Sequence, residues 1–229
     1  MTTNNKQTLE PSMTINRRDF TAIALATAAL SAWPSAQAQA QANAPVEGKD
    51  FVRLSTPVAV PAGGKIDVIE FFWYGCPHCN TFEPMLDAWA RKLPADVAFR
   101  RVPVTFSALH ETHAKIFHAL EVLGQVEALH RRVFAAIHVQ RQRLDKESDI
   151  VAFMTANGVD GAKFADAYKS FGVATKLRQD KQLVDGYKID GVPALGIHGR
   201  WFTSGSLAGS NERALAVTDQ LIQRARKPG

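Results

Sequence analysis

Two cysteines are present in the 229-residue sequence, and they are separated by two residues in Cys76-Pro77-His78-Cys79. This spacing at the start of a helix brings two sulfurs close enough to form and break a small disulfide ring. We predict that Cys76 lies at the helix N-terminus, where free N–H groups and the helix dipole stabilise a thiolate nucleophile. Cys79, one turn further along, is then the less exposed, resolving thiol. Pro77 suits the first helical position, and His78 is expected to stabilise the thiolate, which makes the disulfide a stronger oxidant.

Two other uses of such a pair are a structural disulfide and a metal site. A purely structural disulfide with so short a loop would restrict little chain entropy. Two thiolates also do not complete a four-ligand zinc site, and the other histidines fall in unrelated segments. His110 and His113 have i, i+3 spacing, but solvated histidines on a helix face are commoner than metal ligands. We therefore predict a redox-active pair that uses neither a metal nor an added cofactor.

The elements around the cysteines follow from hydrophobic patterning. Residues 66–73 (IDVIEFFW) are mostly apolar, β-branched or aromatic, which predicts a buried central strand. Apolar residues at helical spacing then predict a helix from about 76 to 94, kinked where Pro84 lacks its N–H. Residues 97–106 predict a second long strand, and residues 51–54 a short one.

Helical periodicity dominates the following eighty or so residues, including helices predicted at about 162–170 and 175–185. Strand patterns return at 194–197 and 200–203 around a tight turn at His198-Gly199. A last amphipathic helix, 212–226, begins after Ser210 or Asn211 as cap. The order predicts an α/β domain interrupted by helices. The predicted parts are residues 43–106 and 187–229 for the α/β domain and 107–186 for the helical insertion.

The first 42 residues have the composition of an export signal. A region with Lys6, Arg17 and Arg18 precedes an uncharged run at 20–33, and small-residue cleavage patterns follow. An uncleaved membrane anchor is the alternative, but the run is shorter than the roughly 20 residues that a span needs. The arginine pair partly matches a twin-arginine motif, so the general secretory and twin-arginine routes both stay open, as does a start at Met13.

Composition excludes several classes of protein. The chain is 46% hydrophobic and 21% charged, which is ordinary for a globular protein. The length suits one domain, or one domain with an insertion. The formal net charge is +5, but basic residues are spread in small clusters rather than along a stripe interleaved with aromatics. Nucleic-acid binding is therefore not expected.

The cysteine motif and its flanks carry a specific resemblance. Residues 70–79 (EFFWYGCPHC), with Phe82-Glu83-Pro84 after them, resemble the DsbA family of periplasmic thiol:disulfide oxidoreductases. The helical block and the segment Gly191-Val192-Pro193 fall where that family has them. The resemblance implies a thioredoxin-like fold with an inserted all-helical domain. It also implies a depressed pKa for Cys76 and a strongly oxidising disulfide.

The same resemblance implies a substrate-binding surface beside the cysteines. It implies that the Val192–Pro193 bond is cis and packs against the disulfide. Such a loop would present the Val192 backbone to an extended substrate strand. Trp73 and Tyr74, next to the active turn, are expected to be exposed and to contribute to a groove for unfolded substrates.

Two acidic residues are also implied to act in the reaction. The resemblance makes Glu70, with Glu83, an acidic group near the buried cysteine that assists proton transfer. The alternative is that Glu70 ends its strand in solvent and that Glu83 faces outward from its helix. A carboxyl within an apolar strand usually has a functional reason to be there, which favours a role for Glu70.

The expected function is an exported thiol oxidase. A substrate thiolate would attack Cys76, and a second substrate thiol would resolve the mixed disulfide. The family resemblance implies reoxidation by a DsbB-like, quinone-linked membrane protein, and we expect a monomer in the periplasm acting on reduced exported proteins. The alternatives are a reductase or isomerase kept reduced by another partner, and a metal-binding or thiol-dependent holdase module.

Overall fold

A five-stranded mixed sheet forms the centre of the molecule. The computed structural model describes residues 1–2 and 44–227. The strands are β1 (Val52–Arg53), β2 (Ile66–Phe72), β3 (Val97–Pro103), β4 (Ala194–Ile197) and β5 (Trp201–Ser204). Their order in the sheet is β1-β5-β4-β2-β3. Strands β2 and β3 are parallel, and the other neighbouring pairs are antiparallel.

Eight helices accompany the sheet in the described part of the chain. A single helix connects β2 to β3, five helices separate β3 from β4, and two follow β5. They are α1 (Pro77–Ala90), α2 (Ala108–Val122), α3 (Val126–His138), α4 (Glu147–Ala156), α5 (Gly161–Lys169), α6 (Phe171–Tyr187), α7 (Gly205–Ala208) and α8 (Asn211–Ala225). The predicted order of a βαβ unit, a run of helices and a ββα unit is confirmed.

Strand β2 is the structural centre because it pairs on both sides and all seven of its residues are buried. Its apolar run matches the pattern of a strand covered on both faces. The hairpin of β4 and β5 also depends on residues that are close together in the chain. His198 and Gly199 have φ values of 49° and 63°, the left-handed conformation that a tight reversal uses. The turn prediction is confirmed, although β5 begins at Trp201 rather than at residue 200.

Three apolar clusters fill the space around the sheet. The first lies between the sheet and helices α1 and α8, and includes Val68, Leu86 and Leu221. The second includes Ile69 and the α6 residue Tyr187. The third is the core of helices α2 to α5, and it also contains Phe72, Tyr74 and both cysteines. The cysteines therefore lie where the end of β2 meets the helical core.

Several boundaries differ from the sequence-based expectation. Strand β3 ends at Pro103 rather than at residue 106, and the last hydrogen bond to β2 runs from the Val104 N–H to the Phe72 carbonyl. Helix α6 begins at Phe171 rather than near residue 175, because Ser170 accepts a hydrogen bond from the Val173 N–H and caps it. Pro84 lies inside α1, and the kink there stays a prediction, as do the exact limits of the helical insertion.

The predicted export signal, residues 1–42, falls outside the described residues except for its first two. Within the described part of the chain, none of the helices combines the length and the apolarity that crossing a bilayer requires.

Candidate active site

The turn from β2 into α1 places both sulfurs. Cys76 is the N-cap of α1, with extended backbone angles of φ −82° and ψ 118°, and Pro77 follows at the first helical position. The Cys79 N–H donates to Cys76 Sγ at 3.4 Å, so the sulfur satisfies one of the free amides of the first turn. Gly75 allows the turn to be tight, because a Cβ there would lie 2.3 Å from the Trp73 ring.

The two thiols have opposite environments. Both are free, with Cys76 6% and Cys79 0% exposed. A hydrogen bond from the Cys79 thiol, and further bonds from the Cys79 and His78 backbone N–H groups, lower the pKa of Cys76 to about 6 although burial opposes this. Burial, together with the neighbouring Cys76 sulfur and the Glu70 carboxyl, raises the pKa of Cys79. Cys76 is therefore the sulfur that ionises, and Cys79 is the one that holds its proton.

The loop before β4 closes over Cys76. The Val192–Pro193 peptide bond is cis. The Cys76 thiol donates to the Val192 carbonyl, with 3.4 Å between sulfur and oxygen. Both loop residues are half-buried, while His78 is exposed at the helix start. The Val192 carbonyl is thus in direct contact with the sulfur of Cys76.

An acidic network lies beneath the cysteines. Glu70 is 0% exposed and Glu83 is 3% exposed. Arg101 joins them, because its Nε donates to Glu70 Oε2 at 3.0 Å and its Nη2 donates to Glu83 Oε1 at 2.6 Å. Burial and the Glu83 charge raise the pKa of Glu70 to about 8, although Arg101 acts in the opposite direction. The alternatives of a solvated Glu70 and an outward-facing Glu83 are both wrong.

A family model described as a DSBA-like thioredoxin domain matches residues 67–212. The chain belongs to the DsbA family. The thiol:disulfide interchange protein DsbA of Pseudomonas aeruginosa is 41% identical over 188 residues, covering 82% of this chain and 89% of the relative. That of Azotobacter vinelandii is 42% identical over 192 residues, with the same coverage of 82% and 89%.

Solved structures agree with that assignment. The crystal structure of Pseudomonas aeruginosa DsbA has 39% identity and a TM-score of 0.77, covering 80% of this chain and 95% of that chain. The oxidoreductase DsbA of Xylella fastidiosa has 28% identity and a TM-score of 0.75, with coverages of 80% and 98%. The family resemblance and the thioredoxin-like fold with a helical insertion are confirmed. As a DsbA-family member, the chain is a thiol:disulfide oxidoreductase.

Two residues of this DsbA-family site, Arg101 and His130, were not predicted from the sequence. Arg101 is directly opposite Glu70 in the parallel register of β2 and β3. The sequence feature that could have indicated this pair is one acidic residue in β2 and a basic residue in β3, since both strands are otherwise mostly apolar. His130 is 4% exposed on α3, and its Nδ1 lies 2.8 Å from the Tyr74 hydroxyl. Its Nε2 lies 3.4 Å from Glu83 Oε2, so helix α3 reaches the acidic network.

The aromatic residues beside the active turn differ from expectation. Tyr74 is 1% exposed, so the prediction that it forms part of a surface groove is wrong. Trp73 is half-buried, and its ring stacks on His110 at a centroid distance of 4.1 Å. His113 is also buried and stacks on the same indole at 5.9 Å, while its Nε2 contacts the Arg143 carbonyl at 3.2 Å. These histidines support the position of Trp73, and His113 is not a solvated surface residue.

Among residues 1–2 and 44–227, no three His, Cys, Asp or Glu side chains converge closely enough to hold a metal ion.

Proposed function

We propose that this DsbA-family protein acts as an oxidant, donating a Cys76–Cys79 disulfide to reduced exported proteins. The observation that carries the proposal is the difference between the two sulfurs. Cys76 lies at a helix N-terminus with N–H donors around it, and Cys79 is fully buried beside Glu70. Because the reduced form is stabilised through the Cys76 thiolate, the disulfide is the less stable and more oxidising form.

The reaction divides into two exchanges. A substrate thiolate attacks Cys76 Sγ, the Cys76–Cys79 bond breaks, and the electron pair leaves on Cys79, which takes up a proton. A second substrate thiolate then attacks the substrate sulfur of the mixed disulfide and expels Cys76 as a stable thiolate. The substrate gains one disulfide, and the enzyme gains two electrons as its dithiol. The redox group is the protein disulfide, with no added cofactor.

Roles for the neighbouring residues follow from their positions. His78 stabilises the thiolate through its backbone N–H and its charge. Val192 offers backbone groups to an extended substrate strand, and the ring of Pro193 fixes the loop that carries them. Cavities of about 300 and 370 Å³ are both lined by Val192 and Pro193, and would receive side chains that flank the substrate cysteine. Trp73 packs against the same apolar clusters as Val192 and adds apolar area to this side of the molecule. Glu70 exchanges the Cys79 proton.

The cellular setting is the periplasm, reached through a cleavable signal in residues 1–42. The clients are unfolded or reduced exported proteins with cysteines, and a DsbB-like, quinone-linked membrane oxidase restores the disulfide. We expect a monomer in which residues 43–106 and 187–229 form the thioredoxin-like domain and residues 107–186 the helical insertion.

Equilibration with glutathione tests the direction of electron transfer. We expect a potential well above that of the glutathione pool, as the stabilised Cys76 thiolate requires. A strongly reducing potential would instead favour a reductase or isomerase. Stoichiometric metal retention without redox turnover would favour the binding module.

Trapping tests the assignment of the two sulfurs. A Cys79→Ser variant cannot resolve its mixed disulfides, so exported cysteine proteins should accumulate on Cys76. The matched Cys76→Ser variant keeps one buried thiol and should trap very little. Equal trapping by the two variants would contradict the proposed roles.

A further inference from the structure

Two basic clusters that are separated in the sequence meet at one cavity of the helical insertion. Arg131-Arg132 lies on α3, and Arg141 to Arg143 lies in the loop between α3 and α4. A cavity of about 690 Å³ between α3, this loop and α4 is lined by one arginine from each cluster, Arg132 and Arg143. It is larger than the two cavities beside the cis-proline loop, which measure about 300 and 370 Å³.

The segment that borders this cavity holds most of the net charge of the chain. Residues 131–146 contain five cationic side chains and a single acidic one, which gives this segment a net charge of +4 out of +5 for the whole chain. All five cations are exposed. An anion that approaches this side of the helical insertion is therefore attracted to the cavity. The charged residues of the segment are Arg131, Arg132, Arg141, Arg143, Asp145 and Lys146.

The two arginines that line the cavity can still bind a carboxylate. Arg143 pairs with Asp145 at 2.8 Å, but the Arg143 side chain is 81% exposed, so water screens the pair and it exchanges at little cost. Arg132 Nη1 donates to Asn157 Oδ1 at 3.3 Å, which uses one of the five N–H donors of the guanidinium. A carboxylate can accept two parallel hydrogen bonds from such a group.

The floor of the cavity is small-sided and apolar. Ala152 and Ala156 lie one turn apart on α4, and Ala135 faces them from α3. Leu144 and Phe153 complete the floor and are 1% and 8% exposed. The three alanines leave a groove between the helices, and its floor suits the aliphatic part of a bound side chain.

The rim of the cavity favours a polypeptide over a phosphate-covered surface. Besides the arginines it carries Gln140, Gln142 and Asp149. A peptide backbone presents both N–H and C=O groups, and these three side chains offer acceptors for the first and donors for the second. Lipid headgroups and nucleic acids present phosphate oxygens, which the Asp149 carboxylate would repel.

The loop that carries Arg143 is attached to the active turn at two points. His138 Nε2 donates to the Tyr74 carbonyl at 2.8 Å at the end of α3. His113, whose ring stacks on Trp73, donates from Nε2 to the Arg143 carbonyl at 3.2 Å. The cavity is thus joined to the side of the active turn. A polypeptide bound there would keep its own cysteines at a raised effective concentration near the reactive thiol.

We propose that this cavity is a second binding site, which takes an acidic stretch of a reduced client polypeptide. Glutamate or aspartate side chains of the client bind Arg132 and Arg143, and neighbouring apolar side chains occupy the alanine-lined floor. The affinity for an acidic peptide stands on the cavity alone. That the peptide belongs to an oxidation client rests on the proposed function.

Calorimetric titration of the intact dithiol protein with cysteine-free peptides tests the site without any redox step. The probe is a short peptide that alternates glutamate with leucine or alanine, and the controls replace every glutamate by glutamine or by lysine. At low ionic strength the glutamate peptide should bind at least about tenfold more tightly than the glutamine peptide, and added salt should reduce this preference. Equal affinities, or a preference for the lysine peptide, would overturn the proposal.

Two kinds of variant locate the binding. Arg132→Gln combined with Arg143→Gln should weaken binding of the glutamate peptide about tenfold, the loss of two carboxylate contacts on a solvated rim. Arg53→Gln combined with Arg178→Gln removes the same charge from β1 and α6 and should change the affinity less than about twofold. Ala152→Phe fills the floor at an exposed helix position without changing the charge, and it should also weaken binding. Equal affinities of the two arginine double variants would overturn the proposal.

Other occupants and the use of the site have their own measurements. Binding to phosphatidylglycerol vesicles through the same two arginines, with no binding of the peptide, would replace the client by a membrane surface. Displacement of the peptide by an equal concentration of inorganic phosphate would indicate a general anion site and would likewise overturn the proposal.

Oxidation of reduced two-cysteine peptides with glutamate or glutamine tails tests the link to clients. The Arg132→Gln, Arg143→Gln variant in its disulfide form should have a lower kcat/KM for the glutamate-tailed peptide alone. Equal kcat/KM values for the two tails in the wild type would show that the acidic ligand is not an oxidation client. Failure of the wild type to oxidise either peptide would count against the proposed function, while the titrations would still decide whether the site exists.

Discussion

Two buried histidines in the helical part of the molecule have opposite electrostatic properties. His130, beside the cysteines, is 4% exposed and has a lowered pKa; His118 is 3% exposed and has a raised one. His118 contacts Asp180 at 2.5 Å and Glu121 at 2.6 Å, one through each ring nitrogen. Burial alone would lower the pKa of His118, but these two carboxylates raise it to about 9.

The difference lies in the partners rather than in burial. One nitrogen of His130 faces a phenol, and the carboxylate near the other is already bonded to Arg101. Among residues 44–227, no arginine is hydrogen-bonded to either of the carboxylates that contact His118. The lesson is that a buried histidine becomes charged where carboxylates are not neutralised by another cation. The charged pair joins α2 to α6, while the neutral ring lies beside the buried carboxyl of Glu83.

Of the substitutions around the two histidines, Arg101→Met should have the largest effect on stability. It leaves Glu70 and Glu83 without their common cation, which should reduce the free energy of unfolding by about 3–5 kcal/mol, measured in urea at neutral pH. At lower pH the carboxyls take up protons, so the loss should shrink.

The matched control is Arg53→Met, which removes an exposed pair with Glu47 whose side chains are 58% and 50% exposed. It should change stability by less than about 1 kcal/mol. Equal effects of the two substitutions would mean that the network around Arg101 is as solvated as the surface.

His118→Asn tests whether the second histidine is charged. The pKa of His118 is raised from 6.5 to about 9. The charged ring therefore stabilises the folded protein fully below about pH 6.5, and this stabilisation is lost as pH rises through about 9. We expect the variant to be less stable by up to about 3 kcal/mol at pH 6, a difference that disappears near pH 10. Burial raises the pKa of Asp180 as well, which reduces the gain below that limit.

Urea unfolding at several pH values measures this difference, with His110→Asn as control. Burial lowers the pKa of His110, so that variant should show no trend above about pH 7. A pH-independent loss in His118→Asn would contradict a charged His118.

Glu70→Gln should stabilise the protein in alkaline solution. The folded-state pKa of Glu70 is raised from 4.5 to about 8, so ionised Glu70 destabilises the fold increasingly as pH rises from about 4.5 through about 8. The glutamine amide carries no charge. We therefore expect the free energy of unfolding to rise by about 2 kcal/mol at pH 9 and very little at pH 4, measured by thermal or urea unfolding. A variant less stable than the wild type at pH 9 would argue that Glu70 is held as a well-paired carboxylate.

The smallest expected effect is the difference between the contributions of Asp180 and Glu121 to the pKa of His118. Asp180→Asn should lower the NMR titration midpoint of His118 by more than about one unit, because the Asp180 side chain is 6% exposed. Glu121→Gln should lower it by less than about half a unit, because that side chain is 38% exposed and water screens it. Equal shifts would show that both carboxylates are equally shielded from solvent.

Local patterns predicted much of the fold correctly. The buried strand β2, the start of α1 at the cysteines and the hairpin turn depend on residues close together in the chain. So does the last helix, where Ser210 accepts from the Arg213 N–H and caps α8. The first turn of α6 was missed because Phe171, 80% exposed, does not continue an apolar stripe. Helix boundaries set by a cap rather than by burial have a weak hydrophobic signal.

The sequence by itself determined the reactive pair, because the spacing of Cys76 and Cys79 places both sulfurs on one helical turn whatever surrounds them. It did not determine the acidic network. Arg101 meets Glu70 only through the register of two strands, and His130 reaches Glu83 only because α3 packs over the end of β2. Hydrogen bonds between distant segments and the exclusion of water set proton affinities, and both arise only when the chain is folded.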